Sequence, residues 1–263
     1  MNPETFFGLY YSQILLGLAR SAGLVVTAPV FQSRYIPVQA KMLFACTLAL
    51  VVAPYIKSDF DLGKFTFLMA IFSLVQEVLV GLLIGFMVNL TLYAVQIGGY
   101  FFDVSLGFGV INIIDPNSGT EMPLLGQFNY ILALLIFLAI NGHHTIIMSM
   151  IQSYDVIKPG MLFLKKEAVG VFVNAFAGMF YLGFKIGLPI MGTIFLVDVA
   201  LGIIAKLIPQ INVFVMGFPI KILIGLIMLI FFIPIYILLV EVVFSNSGEA
   251  FRVMRLMLQE LHQ

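Results

Sequence analysis

Apolar stretches long enough to cross a lipid bilayer recur along almost the whole chain, and they constrain its fold more than any other feature. They predict helices over 6–28, 39–56, 65–99, 124–141, 168–205 and 221–244, because about 20 apolar residues span the hydrocarbon core. The chain is 62% hydrophobic and only 10% charged, a composition typical of membrane proteins and not of soluble domains. We therefore predict an all-α, polytopic membrane protein with a single integral membrane domain over 1–263.

Two of these runs, 65–99 and 168–205, are longer than one straight crossing requires. Polar, glycine or proline residues interrupt both runs, so we expect them to be bent or to form helical hairpins. The interruptions are Glu77, Gly81 and Gly85 in the first run and Lys185, Gly187 and Pro189 in the second. The spacing of Gly81 and Gly85, and of Gly183 and Gly187, also allows helix backbones to approach closely.

The segment 101–127, FFDVSLGFGVINIIDPNSGTEMPLLGQ, is rich in glycine and contains no lysine or arginine. An irregular backbone cannot face lipid, so this loop is expected to lie inside protein or to line an aqueous passage. Its glycines allow tight turns, and its apolar side chains can dewet a narrow channel. The candidate plug residues are Leu106, Gly107, Phe108, Gly109, Val110, Ile111, Ile113, Ile114 and Met122. A movable plug and a fixed lumenal loop are both open interpretations.

Four charged residues lie within or beside the apolar runs, where a lipid-facing helix does not tolerate them. They are Glu77, Lys185, Asp198 and Lys221. Charges in membrane segments are candidates for function, and a proton relay is one hypothesis. The simpler interpretation is structural: Glu77 or Asp198 pairs with a lysine and holds the bundle together, because a buried charge needs a partner.

Neither an enzyme nor a metal protein is indicated. The sequence contains no GxxxxGK[ST], HExxH or GxSxG motif, and the single Cys46 excludes paired cysteine ligands. His143 and His144 are adjacent, so their side chains point in different directions along a helix, and a metal site there is the weaker interpretation. We expect no cofactor, and the net charge of zero gives no indication of a nucleic-acid partner.

Five ordered motifs together resemble the FliR family, the R subunit of the flagellar type III export gate, over nearly the whole chain. They are TAPVFQSRYIPVQAKMLFACTLALVVAP at 27–54, QEVLVGLLIGF at 76–86, DPNSGTEMPLLGQF at 115–128, LAINGHH at 138–144 and PQINVFVMGFPIKILIGL at 209–226. The resemblance implies a hetero-oligomeric gate in the bacterial inner membrane, within the flagellar basal body. Its partners would be FliP, FliQ, FlhB and FlhA subunits, membrane lipid and unfolded flagellar proteins as cargo.

The resemblance also assigns roles along the chain. It implies a FliP-like part at 1–184 and a FliQ-like hairpin with an amphipathic tail at 185–263, and it makes the loop from Leu106 to Met122 the plug of the closed pore. Residues assigned to subunit assembly are Arg34, Pro37, Lys41, Gly81, Gly85, Pro209, Pro219 and Lys221. We expect Arg34 and Lys41 to pair with acidic groups or helix ends of neighbouring subunits.

Three alternatives to a flagellar gate subunit remain open at this point. An injectisome export-gate subunit has the same architecture. A secondary transporter also has broken helices and intramembrane charges, but two halves with matching interruptions are expected there and are not evident. An intramembrane enzyme requires a nucleophile, an acid pair or a metal constellation, and the sequence shows none of these.

Overall fold

The computed structural model describes residues 3–33, 36–56, 66–108, 123–162, 166–210, 212–244, 256 and 258. Seven α-helices account for nearly all of the described chain, and a single 3₁₀ turn, Ala53–Tyr55, extends the second of them. The helices are α1 Pro3–Thr27, α2 Val38–Val52, α3 Phe67–Leu106, α4 Leu124–Ala139, α5 Gly142–Val156, α6 Lys166–Leu207 and α7 Val213–Phe244. The predicted all-α class is confirmed.

Four helical stretches are long and apolar enough to cross a membrane: Val38–Tyr55, Phe67–Leu106, Val169–Leu207 and Val215–Phe244. Helices α4 and α5 add a fifth if the pair counts as one broken span. The predicted polytopic membrane class is therefore confirmed, although the described helices supply fewer spans than the sequence has apolar runs.

Helix boundaries differ from the sequence prediction in two places. Helices α3 and α6 are each continuous over 40 and 42 residues, so the hairpin alternative for runs 65–99 and 168–205 is wrong. Helix α6 continues through Pro189, and the hydroxyl of Thr193, one turn later, donates to the Pro189 carbonyl at 2.9 Å. Helix α5 was missed because Asn141, at φ 58°, ends one helix and begins the next.

The chain divides into two compact units. The first contains residues 1–90, 138–176 and 244–263. In this unit α1 packs closely on the first half of α3 at glycines, where a larger side chain would not fit. A Cβ added to Gly81 would lie 2.8 Å from the Leu24 nitrogen, and a Cβ added to Gly23 would lie 2.9 Å from the Leu82 nitrogen. The amide of Gln13 also donates to the Ile56 carbonyl at 3.0 Å, which ties α1 to the end of the 3₁₀ turn. Close backbone contact thus fixes the position of α1 in this unit.

The second unit contains residues 91–137 and 177–243. Its core joins α3, α4 and α6 through a cluster of buried side chains, with half-buried residues of α7 packed against it. The buried members are Phe102, Leu106, Leu125, Ile190 and Ile194. Helices α6 and α7 run antiparallel as a hairpin, since Asp198 pairs with Lys221 and Gly217 lies against Leu201. Gly183 and Gly187 of α6 pack on α3 near Ala94 and Gly98.

Candidate functional site

Asp103 joins the two helices that flank the candidate plug loop. It lies in the last turn of α3 and is only 3% exposed. Its carboxylate accepts hydrogen bonds from the backbone N–H groups of Leu125 at 3.1 Å and Gly126 at 3.0 Å, in the first turn of α4. The first N–H groups of a helix have no partner within the helix and favour a negative charge. We call this arrangement the Asp103 clamp.

The three described plug residues continue from the clamp. Leu106 is the last residue of α3 and is 1% exposed, with its side chain against Gly225 of α7. Gly107 follows at φ 84°, a left-handed conformation that glycine adopts without strain. The ring of Phe108 then packs edge-on against Phe218, with 6.4 Å between ring centroids. The loop therefore leaves α3 at Gly107, with a packed side chain on either side of the turn.

This geometry corrects part of the loop prediction. Residues 101–106 are helical and 124–127 begin α4, so the irregular segment is shorter than 101–127. Leu106 belongs to the helix core, where its side chain lies beside Gly225. The remaining plug residues lie outside the described part of the chain: Gly109, Val110, Ile111, Ile113, Ile114 and Met122.

The two predicted acidic residues both have basic partners. Asp198 of α6 pairs with Lys221 of α7, so it has the lysine partner that was expected. The side chain of Asp198 is 44% exposed and that of Lys221 is 23% exposed. Glu77 pairs instead with Arg20 of α1, at 2.7 Å between Oε2 and Nε, and both side chains are almost fully buried. Of the two acidic residues expected to pair with a lysine, Asp198 does so and Glu77 pairs with an arginine. Lys185 is exposed on α6.

Residues assigned to assembly occupy varied positions. Pro37 is the N-cap residue of α2, where its fixed φ suits the start of a helix, and Lys41 lies half-buried in the next turn. Arg34 lies outside the described residues. Pro209 follows α6, whereas Pro219 lies inside α7. Gly81 and Gly85 pack within the chain against α1.

No grouping suited to a metal ion occurs among the described residues, where three or more His, Cys, Asp or Glu side chains never converge. His143 and His144 lie in the first turn of α5, with ring centroids 4.3 Å apart. Cys46 is exposed on α2.

Comparison with known proteins decides the family. Residues 11–247 match the family described as bacterial export proteins, family 1. The chain belongs to this family. It is 36% identical over 247 residues to the flagellar biosynthetic protein FliR of Bacillus subtilis (strain 168), covering 92% of this chain and 94% of the relative. It is 28% identical to FliR of Escherichia coli (strain K12), covering 92% and 90%, and 29% identical to FliR of Aquifex aeolicus (strain VF5), covering 90% of each.

As a member of bacterial export proteins, family 1, the chain is a helical membrane protein of an export family and not an enzyme. The resemblance to FliR proteins found in the five motifs is confirmed. The matched residues, 11–247, include Asp103, both ion pairs and the whole loop between α3 and α4.

Sequence reasoning missed two of the residues with the strongest contacts, Arg20 and Asp103. Arg20 is the one basic residue in the run 6–28, and a charge inside an apolar run is a signal that was available. Asp103 was treated as part of a weakly acidic loop. An aspartate that caps a helix remote in sequence leaves no local pattern, because capping motifs are recognised at the start of their own helix.

Proposed function

We propose that this protein is a pore-forming subunit of the flagellar type III protein export gate in the bacterial inner membrane. It passes unfolded flagellar proteins across the membrane together with FliP, FliQ, FlhB and FlhA type subunits, and flagellum assembly requires it. The observation that carries the proposal is the family match over 11–247 with relatives named for flagellar biosynthesis.

The exposed apolar surface of the helices supports a role inside a larger membrane assembly. Only 11% of the apolar stretch of α7 is buried within the chain, and the side chains of Leu223, Ile230 and Phe231 are 62%, 66% and 71% exposed. Surface of this kind needs lipid or other subunits as its cover. A subunit that forms only part of a conduit exposes apolar surface of this kind, because neighbouring subunits cover it in the complete assembly.

The loop after Gly107 is proposed as the plug of the closed channel. The Asp103 clamp holds the start of α4 to the end of α3, so the loop ends are fixed beside each other. The side chains of Ile111 and Ile113 supply an apolar constriction that excludes water, and gating consists of displacing the segment between Gly107 and Pro123.

The first experiment tests the export role. A clean deletion of the gene abolishes secretion of hook and rod proteins while their cellular amounts are unchanged, and plasmid-borne protein restores secretion. Affinity purification of the tagged protein recovers FliP- and FliQ-type subunits. Normal secretion in the deletion strain contradicts the proposal, and purification as a lone homo-oligomer identifies a transporter instead.

The second experiment tests the plug. Ile111→Asp with Ile113→Asp keeps the constriction hydrated, so uptake of a small membrane-impermeant dye rises while copurification of partner subunits is unchanged. Asn117→Asp is the matched control, since it adds a charge to the same loop at a polar position and leaves uptake low. Unchanged uptake in a correctly assembled double variant assigns the seal to the partner subunits.

A further inference from the structure

Arg20 and Glu77 form a buried ion pair that the proposed export role does not use. Their side chains are 0% and 1% exposed, and the guanidinium carbon of Arg20 lies 3.6 Å from the centre of the Tyr154 ring. Burying two charges in an apolar bundle is costly, and such a pair is retained for what it positions more than for net stability. The groups that it contacts show what it positions.

Both members of the pair use several of their hydrogen-bonding atoms within the same unit. Arg20 donates from Nη1 to the Ser153 hydroxyl at 2.6 Å and from Nη2 to the Ile157 carbonyl at 3.3 Å. Glu77 accepts from the Gly160 N–H at its second oxygen, Oε1, at 3.3 Å. Each carboxylate oxygen and each guanidinium nitrogen of the pair therefore has a protein partner, so neither buried charge is left uncompensated.

The network ends on the turn that follows α5. The Met161 N–H donates to the Lys158 carbonyl at 3.1 Å, with Pro159 next and Gly160 at φ 73°, the features of a type II turn. The amide of Gln76, adjacent to Glu77, donates to the Leu162 carbonyl at 3.2 Å. Three neighbouring contacts thus bind main-chain groups of residues 157–162 to α1 and α3.

Helix α1 also depends on this pair. Arg20 lies in the interior of α1 and adds to the cost of placing that helix in an apolar environment. Glu77 of α3 neutralises that charge where the glycines of the two helices meet, since Gly81 lies against Arg20 and Leu24.

We infer that the Arg20–Glu77 pair is a positioning lock, which places α1 against α3 and α5 and fixes the turn 157–162. This placement stands independently of the proposed function.

Cross-linking in the full-length protein in membranes tests the lock. The hydroxyl of Ser21 lies 4.0 Å from the sulfur of Met150, and both residues are buried, so Ser21→Cys with Met150→Cys reports the contact of α1 with α5 through a disulfide cross-link formed on oxidation. Cys46→Ser removes the single natural cysteine. Secretion of a flagellar protein is measured in the same cells.

Removing one charge leaves the other buried without its partner. Glu77→Gln, Glu77→Leu and Arg20→Leu each lower the cross-linked fraction by roughly tenfold, whereas Arg20→Leu combined with Glu77→Leu recovers to within about threefold of the reference. The matched control is Asp155→Asn, an exposed acidic residue of α5, which leaves cross-linking unchanged. Secretion of the flagellar protein decreases in the same variants in which the cross-linked fraction decreases.

Two results overturn the inference. If Glu77→Gln cross-links like the reference but abolishes secretion, the carboxylate acts in transport and not in positioning. If the double variant cross-links as poorly as both single variants, the two charges are not coupled. These results are separate from a test of the proposed function. The proposed function fails if the deletion strain secretes normally, whatever the cross-linking shows.

Discussion

Replacing Asp103 by alanine is the sharpest test of how the loop between α3 and α4 is anchored. The substitution removes a buried carboxylate that accepts from two main-chain N–H groups, those of Leu125 and Gly126. Leu125 is itself 7% exposed, so water has little access to the N–H groups that lose their acceptor. The variant therefore has unsatisfied donors in the first turn of α4 and a small cavity beside the core.

The magnitude follows from these contacts. A hydrogen bond to a charged group contributes about 1.5–3 kcal/mol, and a carboxylate at a helix N-terminus adds about 0.3–1 kcal/mol. Because the two N–H groups share one carboxylate, their contributions are not simply additive. We expect Asp103→Ala to lower the free energy of unfolding by about 3 kcal/mol, which is roughly a hundredfold in the folding equilibrium. Asp103→Asn keeps one carbonyl acceptor and loses about half as much.

The assay is reversible unfolding of the purified protein by titration of a denaturing detergent, followed by circular dichroism of the helices. Asp155→Ala is the control, because it removes an exposed aspartate from α5 and is expected to change the free energy of unfolding by less than about 0.5 kcal/mol. An Asp103→Ala protein as stable as the unaltered protein refutes the clamp as an anchoring contact.

Three further predictions follow from described or family-like positions. Gly81→Val prevents α1 from packing on α3, since a Cβ there would lie 2.8 Å from the Leu24 nitrogen, and it lowers the amount of folded protein in membranes. Gly192→Val is the control, because nothing lies within 4 Å of a Cβ at that position, and it has little effect. Equal amounts of the two folded variants contradict this prediction. Asp198→Asn leaves Lys221 without its ion-pair partner, but the partial exposure of the pair limits the loss of stability to about 1 kcal/mol, measured by the same detergent titration. Arg34→Ala lowers recovery of the complex with partner subunits, measured by copurification; intact recovery with failed secretion assigns Arg34 to transport instead.

Much of the class and family was readable from local pattern. Apolar runs of bilayer length predict helices wherever they occur, and six of the seven described helices overlap a predicted run. The length of α3 was underestimated because residues from 101 onward were assigned to a glycine-rich loop, and the run also contains Gly98 and Gly99 near its predicted end. Those glycines instead face Ile186 of α6 and Gly126 of α4, so they permit close packing and do not end the helix.

The sequence by itself determined the helical membrane class, the export family and the presence of charges in apolar surroundings. Tertiary structure alone decided which charges meet: Glu77 with Arg20, Asp198 with Lys221, and Asp103 with the start of α4. The physical reason is that hydrophobic periodicity is local, whereas an ion pair or a cap depends on the distance between side chains far apart in the chain. The sequence of a helix does not show which neighbouring helix its polar residue contacts, because that partner depends on how the helices pack.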